Sequence, residues 1–318
     1  MSKSTRPRHG SLQFWPRKRA SRFIPSVNWK PIFKSPSVKE EGVLGCIGYK
    51  VGMTSVVIKD NTPHSLTKGK RIVIPATILE VPNMQIFSVR FYKNGKVIKD
   101  IVLSNEKVLK KKMKVGKNVK NADEIDKVKD WDDIRVIAYS VMKDMFKKGP
   151  DFMEIGIKSD KKLEFVKSLI GKEISAKDLL KWDLVDARGL TKGKGFQGAV
   201  KRFGVKLRHH KSEKGIRKVG SIGPWHPARV TFRVPMPGQL GMFTRVHYNL
   251  KVLEVADIKE KDINRKEGFK NYGNLKGNYL ILAGSVQGPA KRQILITPPI
   301  RPNKRQTKRD YELLEVKA

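Results

Sequence analysis

The apolar positions in the first third of the chain form short runs that are rich in β-branched and aromatic residues and are separated by turn signals. The runs with the composition of strands are Ser55–Ile58, Arg71–Glu80, Gln85–Tyr92 and Val97–Leu103. Asn94-Gly95, between the last two runs, is a strong hairpin signal, because both residues tolerate the left-handed backbone of a two-residue turn. Short strands with this punctuation predict a barrel or a sandwich, in which Cys46 is a small buried residue.

After residue 103 the pattern changes to a mixture of strands and helices. The run Ile134–Val141 fits either a helix or a buried strand, and the double-Asp break before it favours a strand; a second strand is predicted at Phe152–Ile157. Helical signals are the spacing of Asp123–Trp131, a helix capped by Ser159 that runs to Ile170, and a capping box of Ser175 with Asp178 that opens Ala176–Lys181. The sequence therefore predicts a mainly β protein in which an α+β insert, residues 93–184, interrupts a β-domain formed by residues 41–92 and 185–318.

The first forty residues show neither helical nor strand periodicity, and five prolines interrupt them. They are predicted to form an extended basic tail that cannot bury its own surface and that orders on binding a partner. Aromatic residues lie between the cations of this tail, at Phe14, Trp15, Phe23, Trp29 and Phe33. Such residues could stack on unpaired bases while Lys and Arg bind phosphates.

A second irregular segment, residues 191–247, is rich in glycine and cations. About fifty residues without a self-sufficient apolar face are unusual in a compact domain unless they are functional. Glycines let the backbone approach phosphates closely, and the cations neutralise them. The segment is therefore predicted to be a long loop that penetrates folded RNA.

Composition supports a polyanionic partner. The 318 residues contain 68 Lys and Arg against 30 Asp and Glu, a net charge of +38, and such a charge opposes itself in isolation. Residues 1–39 carry ten Lys and Arg and no acid, and residues 187–253 carry fifteen and the single acid Glu213, whereas residues 104–186 are nearly balanced. This division between a tail and a loop favours structured RNA over a membrane surface.

Several other classes are excluded. No stretch approaches 18 consecutive apolar residues, and no apolar segment follows the basic N-terminus, so neither a transmembrane helix nor a secretory signal is expected. The single cysteine rules out an internal disulfide and a zinc site built on paired cysteines, and it fits a cytosolic protein. No cofactor, metal or small-molecule substrate is predicted.

Two signals could suggest an enzyme, and neither is supported. Residues 193–198 match the G-x-G-x-x-G pattern of nucleotide-binding loops. The downstream segment, however, is broken by Gly204, is rich in cations and has Glu213 as its only acid, and the motifs of a kinase do not follow. His209 and His210 are adjacent, and no carboxylate other than Glu213 is near them in the sequence to support acid–base catalysis. The chain is predicted not to be an enzyme.

Trp225 is the residue that most favours RNA recognition. Most tryptophans belong to a core, but Gly223-Pro224 and His226-Pro227 on either side indicate a rigid, exposed apex that could stack on a base. The residues predicted to contact RNA are Arg6, Arg8, His9, Trp15, Arg17, Lys18, Arg19, Lys192, Lys194, Lys201, Arg202, Arg208, His209, His210, Lys211, Arg217, Lys218, Trp225, His226, Arg229, Arg233, Gln239 and Arg245.

Five motifs together resemble the universal large-subunit ribosomal protein L-three family. In chain order they are Arg6-Pro7-Arg8-His9-Gly10, Pro16-Arg17-Lys18-Arg19-Ala20, 48–54, 191–198 and Trp225-His226-Pro227-Ala228. The resemblance extends from the tail to about Leu253. The tail motif and the insert resemble the archaeal and eukaryotic branch, and the short C-terminal end favours an archaeal-like member.

The resemblance implies a six-stranded translation-protein β-barrel with an inserted α/β domain. It also implies a cytoplasmic protein of the large ribosomal subunit that binds 23S-type rRNA beside other ribosomal proteins, acts early in subunit assembly and sends its loop toward the peptidyl transferase centre. Trp225 would be the apex of that loop, and Gln239 would match a glutamine that bacterial members methylate. Glu213 stands where eukaryotic members have a histidine that is sometimes methylated, so that modification is not expected. A general nucleic-acid-compacting protein or an RNA chaperone outside the ribosome remains the alternative.

Overall fold

The fold is known from a computed structural model that describes residues 10–116, 122–143 and 145–317. The strands of this part of the chain are β1 (Gly42–Val43), β2 (Cys46–Asp60), β3 (Arg71–Glu80), β4 (Met84–Lys93), β5 (Lys96–Val102), β6 (Asp133–Ser140), β7 (Phe152–Lys158), β8 (Leu184–Leu190), β9 (Phe196–Gln197), β10 (Gly238–Gln239), β11 (Thr244–Asp257), β12 (Asn278–Ala283), β13 (Gln293–Thr297) and β14 (Tyr311–Val316). The helices are α1 (Lys30–Phe33), α2 (Lys162–Leu169), α3 (Ala176–Leu179), α4 (Ala199–Phe203) and α5 (Lys304–Thr307). The predicted mainly β class is confirmed.

The larger sheet has seven strands in the order β13-β8-β11-β12-β3-β2-β14, and β13 also pairs with β2. Strand β13 therefore has two antiparallel neighbours, with Ile294 opposite Gly189 of β8 and Gly48 of β2. Strand β2 is a single strand of 15 residues and so extends well beyond the predicted run Ser55–Ile58. A bulge between Lys50 and Gly52 allows it to bend while it remains paired with β3.

The second sheet has five strands in the order β1-β7-β6-β4-β5. The predicted hairpin is confirmed, since Asn94 and Gly95 both have positive φ and connect β4 to β5. The predicted strands at Ile134–Val141 and Phe152–Ile157 are also confirmed as β6 and β7. Strand β4 belongs to this sheet, so the grouping of residues 84–92 with the strands of the larger sheet was wrong. Alternating burial could not reveal this pairing, because both faces of β4 are largely covered.

The predicted tail ends earlier than expected. Trp29, Ile32 and Val38 are buried and belong to the same hydrophobic core as the strands of both sheets, and Phe33 packs against it. Pro31 does not prevent a helix here, because it lies in the first turn of α1, where its missing N–H has no intrahelical partner. The prediction that residues 23–39 cannot bury their own surface, and that Trp29 and Phe33 are free to stack on bases, was wrong. Cys46, in contrast, is buried as predicted.

The helices of the insert are shorter than predicted. Helix α2 begins at Lys162, and Ser159 does not cap it; the Ser159 hydroxyl accepts a hydrogen bond from the Lys161 N–H and donates one to Glu41. Ser175 does cap α3 by accepting from the Asp178 N–H, but the helix ends at Leu179. The helical spacing of Asp123–Trp131 yields only a 3₁₀ turn, Ala122–Ile125, and Asp130 in the left-handed region is incompatible with a helix that continues to Trp131.

The chain divides into two compact units. The main unit consists of residues 23–189 and 245–317, and the loop unit consists of residues 10–22 and 190–244. Across the described part of the chain, no helix combines the length and the apolar composition needed to cross a membrane.

Candidate nucleic-acid interface

The loop unit combines the described part of the basic tail with the long glycine-rich loop. Residues 10–22 contain four Lys and Arg, and residues 190–244 contain twelve, against the single acid Glu213. From Gly204 to Pro237 the backbone forms only turns and bends, as the absence of periodicity predicted. The conformation of the unit must therefore be stabilised by contacts other than extended sheets and a large hydrophobic core.

Main-chain hydrogen bonds close the base of the loop. Strand β9 pairs with β10, and the Lys194 and Leu240 N–H groups donate to the Leu240 and Gly195 carbonyls, both at 2.9 Å. Gly241 has a φ of +78°, and a Cβ on it would lie 1.9 Å from the Lys192 carbonyl oxygen. Only glycine fits at position 241 without moving the backbone. The two ends of the loop therefore meet at a contact, between Gly241 and Lys192, that requires glycine.

Tail residues complete this base. The Ala20 N–H donates to the Met242 carbonyl at 2.9 Å. Trp15 stacks on Phe203, with ring centroids 6.3 Å apart, and meets Phe232 edge-on at 5.5 Å. The Arg17 guanidinium lies 4.4 Å from the Phe203 ring centroid and 5.0 Å from that of Trp15. Offset and edge-to-face arrangements of this kind stabilise an aromatic cluster beyond its buried area.

Arg202 links the aromatic cluster to the C-terminal end of the loop, at Met236 and Gln239. Its guanidinium donates to the Gln239 carbonyl at 3.0 Å, the Met236 carbonyl at 2.8 Å and the Arg17 carbonyl at 3.4 Å. Partial burial lowers the pKa of Arg202, although a guanidinium stays charged at neutral pH. Three separate segments therefore converge on one side chain, whose planar array of N–H donors suits this use.

The remaining cations of the loop unit face outward. Among the predicted contacts, those with exposed side chains are Lys18, Arg19, Lys192, Lys194, Lys201, Arg208, His209, His210, Lys211, Arg217, Lys218, Trp225, His226, Arg229 and Arg233. Trp225 is 88% exposed, which places it outside any core of the described structure. The loop unit therefore presents many exposed cations and the exposed indole of Trp225, a combination that suits phosphates and an unpaired base.

The histidine pair has a local structural role. The His209 and His210 ring centroids are 4.2 Å apart, and the Lys211 N–H donates to His209 Nδ1 at 3.2 Å. Among the described residues, no group of three or more His, Cys, Asp or Glu side chains could hold a metal ion. The arrangement leaves the rings exposed beside cations, where they can contact RNA.

The other predicted contacts have different positions. Arg6, Arg8 and His9 lie outside the described residues, and Arg245 is half-buried on β11 in the main unit. Trp15, Arg17, Arg202 and Gln239 are half-buried within the loop unit, and the Gln239 amide donates to the carbonyls of Leu240 and Gly241 at 3.1 and 3.2 Å. These side chains organise the interface that the exposed residues present.

Phe203 and Phe232 were missed by the sequence analysis. Both contribute to the aromatic cluster, and each has a guanidinium above its ring, from Arg202 at 5.1 Å and Arg233 at 5.6 Å respectively. The adjacent pairs Arg202-Phe203 and Phe232-Arg233 were the available signal. Sequence alone could not show that they meet Trp15, because Trp15 is distant from both of them in the chain.

Comparisons with known proteins give the same family as the five sequence motifs. The profile of the ribosomal protein L3 family matches residues 1–100 and 89–317 of this chain. The large ribosomal subunit protein uL3 of Methanobrevibacter smithii is 38% identical over 322 residues, which cover 95% of this chain and 94% of that protein. The proteins of the same name from Methanocaldococcus jannaschii and Methanosphaera stadtmanae are 38% and 39% identical, over 93% and 95% of this chain and 92% and 94% of their own lengths.

Proposed function

This chain belongs to the ribosomal protein L3 family, and on that premise we propose that it is a structural, non-enzymatic constituent of the large ribosomal subunit in the cytoplasm. Its similarity to three archaeal uL3 proteins over more than nine tenths of its length supports an archaeal-like member. Its partners are the large-subunit rRNA, of the 23S type, and neighbouring ribosomal proteins. It supports early assembly of the subunit by ordering the RNA that it binds.

The loop unit is the principal RNA-binding surface. The exposed cations bind phosphates and fix the position of the loop, whereas Trp225 stacks on a base near the peptidyl transferase centre. Trp15, Arg17 and Arg202 hold the base of the loop in one arrangement, so that less conformational entropy is lost when the RNA binds. The observation that carries this proposal is the exposure of Trp225 at 88% within a unit that contains a single acid.

The finer fold follows the same family. We propose that β2, β3, β12, β11, β8 and β13 form a barrel of the translation-protein type, and the pairing of β13 with both β8 and β2 supports a closed series of six strands. The five-stranded sheet with α2 and α3 forms the inserted domain. Its border then lies near residue 82 instead of 93, because β4 is one of its central strands.

Co-sedimentation tests the assignment to the ribosome. The native protein is expected to remain with large subunits in a high-salt sucrose gradient. Salt weakens phosphate contacts, but it weakens base stacking and the enclosure of the loop by folded RNA much less. Release into the soluble fraction together with binding to duplex DNA would support a general nucleic-acid-compacting protein instead.

A substitution at the apex tests the role of the loop. Trp225→Ala is expected to leave affinity for rRNA within a few-fold, because phosphate contacts dominate binding, but to slow peptide-bond formation by subunits that carry it. Phe196→Ala is the matched control, since Phe196 is an exposed aromatic residue at the base of the same loop, with 76% exposure. Normal tRNA binding and peptide transfer with Trp225→Ala would refute the role of the apex.

A further inference from the structure

The main unit contains a groove that the RNA-binding predictions did not include. Residues 36–39, 181–184 and 300–308 line an open cavity of about 850 Å³. Five exposed cations lie along it: Lys39, Lys181, Arg301, Lys304 and Lys308. The half-buried Trp182 lies among them and packs in part against the hydrophobic core.

Hydrogen bonds hold one wall of this groove in place. The buried carboxylate of Asp186 accepts from the Asn249 N–H at 2.9 Å and from the Ile300 N–H at 3.2 Å. The Asn249 side chain then accepts from the Asn303 N–H at 3.1 Å, and Asn303 caps α5 by accepting from the Arg305 N–H at 2.9 Å. A series of hydrogen bonds, each accepted by a side-chain oxygen, therefore connects β8 to α5, the helix that carries Lys304.

The opposite wall is also fixed. The buried Ser35 hydroxyl donates to the Pro299 carbonyl at 2.5 Å, which ties the segment before Lys39 to the start of residues 300–308. Buried groups therefore hold the backbone of the segments from which the cations project.

The charges of the groove indicate what it binds. Among the described residues, one ion pair involves these five cations, between Lys181 and the exposed Glu40 at 3.0 Å. Asp183 is the one carboxylate in the lining. A smaller cavity of about 150 Å³ continues beyond Lys39 and Lys181, and its lining includes Glu40, Glu41 and Asp178. A polyanion is therefore favoured on the side of Arg301 and Lys304 and disfavoured on the other.

We propose that this groove is a second RNA-binding site, in which Trp182 stacks on an unpaired base and the cations bind phosphates of the same strand. The combination of an aromatic platform with flanking cations is the one that single-stranded nucleic acid requires. The proposal rests on the proposed function, because the partner is the same large-subunit RNA, but it places a contact on the main unit, apart from the loop and the tail.

Salt-dependent binding tests the cations. The full chain with Arg301→Gln, Lys304→Gln and Lys308→Gln is titrated with a large-subunit rRNA transcript over a range of salt concentrations. Loss of three phosphate contacts is expected to reduce the log–log salt slope by about 2 to 3. The matched control is Lys68→Gln, Lys70→Gln and Arg71→Gln, which removes three charges from exposed positions in the segment between β2 and β3 and at the start of β3. Its slope is expected to equal that of the unaltered chain.

Ultraviolet crosslinking tests the platform. Digestion of the crosslinked complex is expected to give an RNA adduct on the peptide that contains Trp182. Trp182→Leu, which keeps apolar bulk against the core, is expected to abolish that adduct and to weaken binding on the order of tenfold while the melting temperature stays close to that of the unaltered chain.

The outcomes separate the two proposals. Failure of the unaltered chain to bind the transcript would refute the RNA-binding function itself. Normal binding with equal slopes for the two triple variants, or no adduct at Trp182, would refute the groove alone. A crosslink from the groove to an acidic protein in assembled subunits would also overturn it, in favour of a protein partner.

Discussion

The main unit is held by buried side chains, whereas the loop unit is held by main-chain hydrogen bonds, a required glycine and cations above aromatic rings. In the main unit, Tyr49 and Asp151 are buried, and the Tyr49 hydroxyl donates to the Asp151 carboxylate at 2.7 Å. In the loop unit, the Arg202 guanidinium donates to three carbonyls, and most of the other cations are exposed. The difference shows that a surface rich in cations can keep one conformation without a large core, because a few contacts hold the two ends of the loop together.

Truncation of the N-terminal segment is expected to give the largest change in stability. Deleting residues 1–39 removes Trp29 and Ile32 from the core, and buried side chains of this size contribute about 2–5 kcal/mol each, a large share of a total stability of about 5–15 kcal/mol. Deleting residues 1–22 spares them. We expect the first truncation to unfold the main unit and the second to leave its thermal transition within a few degrees, as measured by calorimetry.

A point variant checks the same result without a change of chain length. Trp29→Ala is expected to cost about 3–5 kcal/mol in the free energy of unfolding, measured by denaturant titration. Trp225→Ala, its exposed counterpart, is expected to change it by less than about 0.5 kcal/mol. Equal effects at the two positions would contradict the division between the units.

An intermediate effect is expected at the base of the loop. Gly241→Ala combines left-handed backbone strain of about 1–2 kcal/mol with the clash against the Lys192 carbonyl. Hydrogen exchange at the Lys194 and Leu240 amides is expected to accelerate strongly, because these N–H groups close the base. Gly195→Ala is the control: its φ is +65°, but no atom lies within 4 Å of the added Cβ. Similar acceleration by both variants would show that the clash has no role.

A smaller effect, dependent on pH, is expected inside the main unit. Burial raises the pKa of Asp151, but hydrogen bonds from Lys147, Tyr49 and Gln293 outweigh it, so the pKa lies below its usual value. An acid with a lowered pKa stabilises the fold above its unfolded pKa of about 4 and loses that contribution as the pH falls through the folded pKa.

Asp151→Asn is therefore expected to cost about 1.5–3 kcal/mol at neutral pH, with a difference from the unaltered chain that shrinks below about pH 4. Denaturant titrations at several pH values measure it, and Asp160→Asn, at an exposed position, is the control. A difference that does not change with pH would exclude the ionised carboxylate as the cause.

The sequence allowed prediction of those parts whose signal is local. The hairpin at Asn94-Gly95 and strand β3 follow from turn chemistry and β-branched composition, and the loop follows from its glycines and cations. The burial of Trp29 was not predictable, because the strands that cover it are distant in the chain and its own segment has no periodicity. The groove at Trp182 was missed for the same reason, since its cations come from three separated segments.

The residue types that contact RNA could be predicted from the sequence, but which of them face the RNA and which hold the loop together could not. Exposed cations such as Lys192 and half-buried cations such as Arg202, which hold other segments in place, look alike in a basic sequence. Only the three carbonyls around the Arg202 guanidinium distinguish them.

Site-specific crosslinking tests most directly whether the loop unit meets RNA. A photoreactive phenylalanine analogue at position 225 is compared, in assembled large subunits, with the same analogue at position 66, where Leu66 is 99% exposed on the main unit. We predict that position 225 crosslinks to the large-subunit rRNA at the peptidyl transferase centre and that position 66 does not. Crosslinks from position 225 to proteins alone, or to rRNA remote from that centre, would contradict the account.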